Sequence, residues 1–445
     1  MGADLVSIAN SGARAARTAL DVTANNIANA SSAGYIRRSV GLSELGANSV
    51  SSAPTAINLA GVRVSGVVRN ADMFRQAEVR RTGSDAARAG AEVTGLENIE
   101  AALEQTGVYD SIVGFEGGLQ QLLSDPVDGS LRASVVEQGR TLAQTFNVAA
   151  KSLDAVGEGL RFEALDGVDA VNRIAGELAR VNLRLSRAAD ASSDQTALLD
   201  QRDNLLQELS GHVDLTTSFN ADKTVAVIIG GPSGGALVSG GAAGTMAMTT
   251  APGGTVAFTL DGNAVTIGGG AIAGKSLALT ELAQDHIKLD AVASSLITTV
   301  NNAQAAGVDL AGNSGQPLFA GTGAADMAMV ASGGGALATA PASAGAQSRN
   351  PANLVALRSA LGTADPAGGM DALLFGVSSA VAGRSITRDA LASISSSAQV
   401  ALQAQAGVDL DQEAVNLVRY QQAYQASARI MQVASDIFDS VLAIR

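Results

Sequence analysis

From Leu410 to Val441 apolar side chains return every seventh residue in three adjoining rows. One row is Leu410, Leu417, Tyr424, Met431 and Phe438, a second is Ala423, Ile430, Ile437 and Ile444, and a third is Tyr420, Ser427, Ala434 and Val441. A seven-residue repeat of this kind fits a helix that packs lengthwise against another helix. Residues 4–30 carry a thinner helical pattern, with Leu5, Ile8, Gly12, Ala15, Ala19 and Val22 spaced by three or four. A stripe made largely of Ala and Gly buries little apolar area, so such a helix is marginal alone in water. The chain therefore begins and ends with helices that need partners, and antiparallel or coaxial packing of the two ends is the expected arrangement. In the isolated chain both ends are expected to lack fixed order and to gain it on association.

Composition narrows what lies between. Hydrophobic residues are 47% of the 445, ample for a core, but aromatics are 3% and Trp is absent. The core must rest on Ala, Val, Leu and Ile, which argues against an aromatic-lined small-molecule pocket. A net charge of -13 argues against general affinity for nucleic acid or an anionic membrane. With no Cys there is no disulfide, zinc–thiolate site or thiol nucleophile. Asp4 interrupts the N-terminal stretch, so no cleavable signal peptide is expected, and Val6 stands where a myristoylation pattern needs Ser or Thr. Thr224 to Leu260 holds no charged residue, yet it is broken by Gly, Pro, Ser and Thr and reads as β structure, not a membrane span.

Along the chain the pattern is helix, strand, helix. Residues 35–70 read as extended, punctuated by Gly41, Gly46, Pro54, Gly61 and Gly66. Residues 73–210 read as helical, first one long helix and then shorter ones divided at Gly107, at Asp125-Pro126 and at Gly157-Glu158-Gly159, with Gly211 as a C-cap. From about Asp214 to Gly274 the chain reads as β, with Asp261-Gly262-Asn263 as a hairpin turn. Helix returns at 276–305, a Gly/Ala/Ser-rich zone with weak strand signals fills 306–350, and 352–405 is helical with a soft loop near 362–369. The expected fold is mainly α with a β insertion: a terminal helical coil (1–45 plus 400–445), a long-helix bundle domain (46–213 plus 276–305 and 351–399) and a small β-rich outer domain (214–275 plus 306–350).

Catalytic signals are thin. Gly269-Gly270-Ala271-Ile272-Ala273-Gly274-Lys275-Ser276 matches G-x-x-x-x-G-K-[ST], which in a phosphate-binding loop would cradle phosphates and place Lys275 and Ser276 on them and on magnesium. The strand before it reads as half of a hairpin, and no alternating βα series surrounds it, so nucleotide binding is the minority reading. His212 and His286 are the only histidines and suggest no metal pair. Asp190, Asp194, Asp200 and Asp203 read as a solvated acidic face, since calcium-loop spacing is missing. No catalytic residue, cofactor or metal site is assigned.

The two terminal segments resemble a known family. Ala24-Asn25-Asn26-Ile27-Ala28-Asn29-Ala30, followed by Gly34-Tyr35-Ile36-Arg37-Arg38, resembles the N-terminal signature of bacterial flagellar axial proteins. Val408 to Ala428, with Asp409, Glu413, Asn416, Arg419, Tyr420 and Tyr424, resembles their C-terminal one, Gln412 standing where an acid is common. Four internal stretches are similar to the hook-associated members in particular. They are Arg69, Asp72, Phe74 and Gln76; Asp125-Pro126 with Arg132; Leu198-Leu199-Asp200-Gln201-Arg202-Asp203; and Val300-Asn301-Asn302 with Gly307-Val308-Asp309-Leu310-Ala311-Gly312-Asn313. The alternative within the superfamily is a sibling, the second junction protein or a hook subunit, which should lack the last two stretches.

The resemblance implies a structural, non-enzymatic subunit at the hook–filament junction of the flagellum, exported without a cleaved signal peptide and located outside the cell. It implies partners as well: further copies of the chain in a ring or helical polymer, the hook protein, the second junction protein and a flagellar export chaperone, with neither nucleic acid nor membrane. The assembly interface is expected on Leu5, Ile8, Val22, Asn25, Asn26, Ile27 and Asn29 at one end and on Leu410, Leu417, Tyr420, Tyr424, Ile430, Met431, Ile437, Phe438 and Val441 at the other. Arg37 and Arg38 are expected either to pair between subunits or to stand in solvent.

Overall fold

A computed structural model describes residues 2–32, 34–46, 59–231 and 234–443. Pro54, Ile444 and the side chain of Val441 lie outside what it describes. The fold is mainly helical with small antiparallel sheets. In chain order come helix α1 (Gly2–Ala28), strands β1 (Arg38–Gly46) and β2 (Leu59–Arg69), and helices α2 (Met73–Glu104), α3 (Val108–Leu122), α4 (Gly129–Leu185) and α5 (Ser193–His212). Strands β3 (Leu215–Phe219), β4 (Val225–Ile229), β5 (Gly235–Ser239), β6 (Ala242–Ala243), β7 (Met246–Thr250), β8 (Val256–Leu260) and β9 (Asn263–Val265) follow. Then come α6 (Gly270–Ala305), a stretch of two-residue strands, and α7 (Ala352–Ala364), α8 (Pro366–Ala406) and α9 (Leu410–Ala443). Among the described residues no helix is long and apolar enough to cross a membrane.

Contacts divide the chain into two compact units. The first is Met1–Ser84, Val171–Thr245 and Ala392–Arg445; the second is Asp85–Ala170 and Met246–Leu391. The β-rich segments grouped above as one outer domain fall in both: 214–245 in the first unit, 246–275 and 306–350 in the second.

In the first unit α1 and α9 lie side by side. Gly12 faces Ser427 and Asn26 meets Glu413, so the two helices run antiparallel. The β1–β2 hairpin covers another side of α1, and here one glycine is required. A Cβ on Gly61 would lie 2.2 Å from Ser11 Oγ, and Gly61 has φ +96°, so both space and backbone exclude a side chain. The Ser11 hydroxyl accepts the Val62 N–H at 3.2 Å. Strands β3 to β6 form one sheet in sequence order. Asn182 near the end of α4 ties that sheet down, donating to the carbonyls of Val225 and Gly240 at 2.8 Å each and accepting the Val225 N–H at 3.0 Å.

The second unit has its own core, in which Leu103, Ile112, Phe115, Phe146, Leu296 and Met370 are buried together. Phe115 and Phe319 meet edge to face with centroids 5.7 Å apart. Strands β7, β8 and β9 form a meander. Asp261 and Gly262, both at positive φ, make the two-residue turn between β8 and β9 that the sequence predicts. Arg132 is fully buried and donates to the carbonyls of Pro126, Gly334, Gly335 and Leu337 and to Thr339 Oγ1, so a single guanidinium organises loops that have almost no regular structure. Asn301 does the same for the Leu318–Phe319 backbone.

Three expectations are corrected. Helix α4 runs unbroken through Gly157 and Gly159. A Cβ on Gly157 would sit 2.9 Å from Leu282 Cδ2, so that glycine admits a close neighbour and does not end a helix. Gly211 lies inside α5, whose C-cap is Val213. And α1 and α9 are formed and paired in the single chain, where disorder was expected, because a buried polar cluster fastens them together.

Candidate functional site

The site is the pair of terminal helices. Gly12, Ala19 and Asn26 stand seven apart on the face of α1 toward α9, and Glu413, Tyr420, Ser427 and Ala434 stand seven apart on the answering face. Ala9, Ala16, Ala19 and Thr23 are buried on α1, as is Ala434 on α9. A Cβ on Gly12 would come within 3.0 Å of Ser427 Oγ, so the seam is narrow and made of small side chains. Of the apolar rows of α9, the one holding Tyr420, Ser427 and Ala434 is covered at each of these three positions.

One end of the seam is closed by a polar buckle. Asn26 is buried, and its side chain donates to Arg38 O at 2.8 Å and to Glu413 Oε2 at 3.2 Å. It accepts from Tyr35 Oη at 2.9 Å and from the Arg38 N–H at 3.0 Å. Arg37 Nε donates to Glu413 Oε1 at 2.6 Å, and the Arg37 N–H donates to Ala406 O at 2.9 Å. Asp409 caps α9 by accepting the N–H groups of Asp411 and Gln412, which aims Glu413 at the buckle. The turn after α1 needs Gly34, because φ is +73° and a Cβ would lie 2.0 Å from Asn204 Oδ1 on α5.

From Arg38 the network continues into α5. Arg38 reaches Asp200 at 2.6 Å, Arg69 reaches Asp200 and Asp203 at 2.8 Å each, and Gln76 donates to Asp203 at 3.0 Å. Arg202 donates twice to Asp203 and once to Lys223 O. Burial alone would push the Asp203 carboxyl up, but the Arg202 and Arg69 guanidinium groups together outweigh it and hold it below the usual value. Burial pushes the Tyr35 phenol up, with Arg38 opposing. Asp200 and Asp203 are thus not the solvated face read from sequence, and Arg37 and Arg38 pair within the chain.

The structure splits the sequence-predicted interface residues. Leu5, Asn25, Ile27, Leu410, Tyr424, Ile430, Ile437 and Phe438 are exposed. Ile8, Val22, Asn29, Leu417, Tyr420 and Met431 are half covered within the chain, and Asn26 is wholly internal. Asn25 and Asn29 also bond locally, to Asp21 O and Asn25 O at 2.8 Å each. Sequence reasoning missed Val415, Val418 and Val433, which extend the outward face of α9; Val415 is 63% and Phe438 57% exposed. Their spacing of three and four from Ile430 and Ile437 was the signal that could have found Val433.

The G-x-x-x-x-G-K-[ST] segment forms the start of α6, not a phosphate loop. It follows an antiparallel meander. A Cβ on Gly274 would lie 2.2 Å from Arg88 O, so α6 presses directly on the backbone of α2 there. Lys275 pairs with Glu163 at 3.0 Å. His286 lies 3.4 Å from Asp154. Among the described residues no group of His, Cys, Asp and Glu is arranged to hold a metal. The terminal pair can bind along its length.

Comparison with known proteins points the same way. A family model described as the flagellar hook-associated protein FlgK helical domain matches residues 93–319. The flagellar basal body rod FlgEFG protein C-terminal model matches 402–444, and the flagella basal body rod protein model matches 7–35. Flagellar hook-associated protein 1 of Bacillus subtilis (strain 168) is 31% identical over 213 residues, 46% of this chain and 42% of that protein. The protein of the same name from Salmonella typhimurium is 29% identical over 218 residues, 48% of this chain and 39% of that protein. The matched stretch thus spans about two fifths of these relatives. A solved structure of the flagellar hook junction protein FlgK from Burkholderia pseudomallei is similar in fold, with a TM-score of 0.50 and 23% identity, over 55% of this chain and 46% of that one.

Proposed function

Because this chain belongs to the flagellar hook-associated protein FlgK family, we propose that it is a structural axial subunit of the flagellum that packs its terminal helix pair against further copies and joins hook to filament. Its partners in this reading are other copies of the chain, the hook protein, the second junction protein and an export chaperone that shields the terminal helices before assembly. It works outside the cell, in the flagellum. The observation that carries the reading is the outward row of α9. Val415, Val418, Ile430, Val433, Ile437 and Phe438 stay exposed after the pair has formed. A row of large aliphatic side chains along a charged helix is the part of a surface that gains most from a partner. Pairing inside the chain covers the row holding Ser427 and Ala434 and leaves most of the large side chains for neighbours.

The test is a triple substitution, Ile430→Ser, Ile437→Ser and Phe438→Ser, in the full chain. These side chains are exposed, so the thermal midpoint of the isolated protein is expected to stay within the range of ordinary surface changes, about 0.5 kcal/mol per site. In a strain lacking the gene, the wild-type chain restores filaments and the variant leaves bare hooks under the electron microscope. Filaments restored by the variant would overturn the reading.

A further inference from the structure

Four arginines of the first unit, Arg38, Arg69, Arg80 and Arg202, surround two carboxylates, Asp200 and Asp203. Asp203 is saturated: one oxygen accepts from Arg69 and Gln76, and the other accepts twice from Arg202. Asp200 is held by Arg38 and Arg69. The next acid, Glu413, is taken by Arg37 and Asn26.

Arg80 on α2 is left over. It is 5% exposed, and its terminal NH2 is sealed from solvent and has no hydrogen-bond partner. Asp203 attracts it through space while Arg202 repels it. Arg38 Nε is also buried without an acceptor, and so is the Ser84 hydroxyl one turn beyond Arg80. The cluster therefore holds four positive charges against two negative ones, with buried donors to spare. Burying a guanidinium in that state is costly. A water molecule would occupy donors but would leave the charge uncompensated.

We propose that Arg80 holds a small inorganic anion of chloride type, which completes the buried arginine–aspartate cluster behind the buckle. The ion supplies the missing negative charge and accepts from the Arg80 guanidinium. It stabilises the fastening of β1 and β2 to α5, because Arg38 and Arg69 belong to the same cluster.

The experiment is thermal unfolding of the full chain at constant ionic strength, with sodium gluconate replaced stepwise by sodium chloride. The wild-type midpoint is expected to rise by about 2 °C or more, and Arg80→Met to lose that rise. General salt effects act on both proteins, so the difference between them reports the site. An equal response in both proteins, or none in the wild type, overturns the proposal. Should Arg80→Met fail to fold, wild-type crystals soaked in sodium bromide decide it. An anomalous peak within hydrogen-bond distance of the Arg80 guanidinium supports the site, and an empty map there overturns it.

Discussion

Asn26 has two donors and two acceptor positions and uses all four inside the chain, which makes it the most constrained polar side chain of the terminal pair. Asn26→Ala should cost about 2–4 kcal/mol, because it strips partners from Tyr35, Glu413 and the Arg38 backbone at once. Hydrogen exchange along α1 and α9 should accelerate together; exchange confined to α1 would mean that the buckle does not join the two helices. Asp203 gives the pH dependence its sign. Its folded pKa lies below the ordinary value of 3.8, so its contribution is fully present above that value and is lost as pH falls through the lower folded one. Asp203→Asn should therefore be less stable than wild type near neutrality and should lose less further stability on acidification below about pH 4, read from urea midpoints. None of this pairing was legible in the sequence. Arg69 and Asp203 stand 134 residues apart, and Arg37 and Glu413 stand 376 apart. Local patterning marks such residues as charged and says nothing of where the opposite charge will come from. Only the resemblance singled them out, and it gave no roles within the chain.

Periodicity carried the helices well, and it failed where a single residue type has two uses. Gly157 reads as a breaker on intrinsic preference, yet α4 passes through it because a neighbouring leucine needs the space. Heptad rows located α9, but rows say only which side chains share a face; which face meets α1 depends on the size of the residues there. The narrow Ala/Gly stripe of α1 meets the row holding Ser427 and Ala434, half covers Leu417 and Met431, and leaves Leu410, Tyr424, Ile430, Ile437 and Phe438 exposed. The start of α6 repeats the lesson. Its motif letters fit a phosphate loop, whereas Gly274 is there to let α6 touch the backbone of α2. Gly274→Ala should lower stability by about 1–3 kcal/mol through overpacking. Lys275→Ala removes an ion pair whose Glu163 partner is mostly in solvent, so it should change stability by under about 1 kcal/mol, and calorimetry should find no saturable ATP binding in either wild type or variant. Saturable binding lost in Lys275→Ala would restore the nucleotide reading.

At the scale of the molecule, the second unit keeps a core that draws nothing from either terminus. A chain ending at residue 405 should therefore retain cooperative unfolding of that unit, while α1, deprived of its seam and of Glu413, loses protection from exchange and proteolysis. The same truncation should fail to restore filaments. If α1 kept its protection without α9, the hairpin alone would be enough to hold it and the importance given to the seam would be misplaced. The helical character of the two ends and of most of the middle was legible from pattern. The assignment of strands to units was not, because Gly- and Ala-rich segments carry too little side-chain information to say what they pack on.

Asn26 and Glu413 are 387 positions apart in the chain. A ribosome completes α1 and then works through a long intervening stretch before it delivers the carboxylate that clasps it. Contacts of such long span form late, after the loop entropy of the whole chain has been met. Any polypeptide cut short before Glu413, wherever the cut falls, arrives with Asn26 and Arg37 unclasped. The lock on α1 is thus withheld until the chain has reached Glu413.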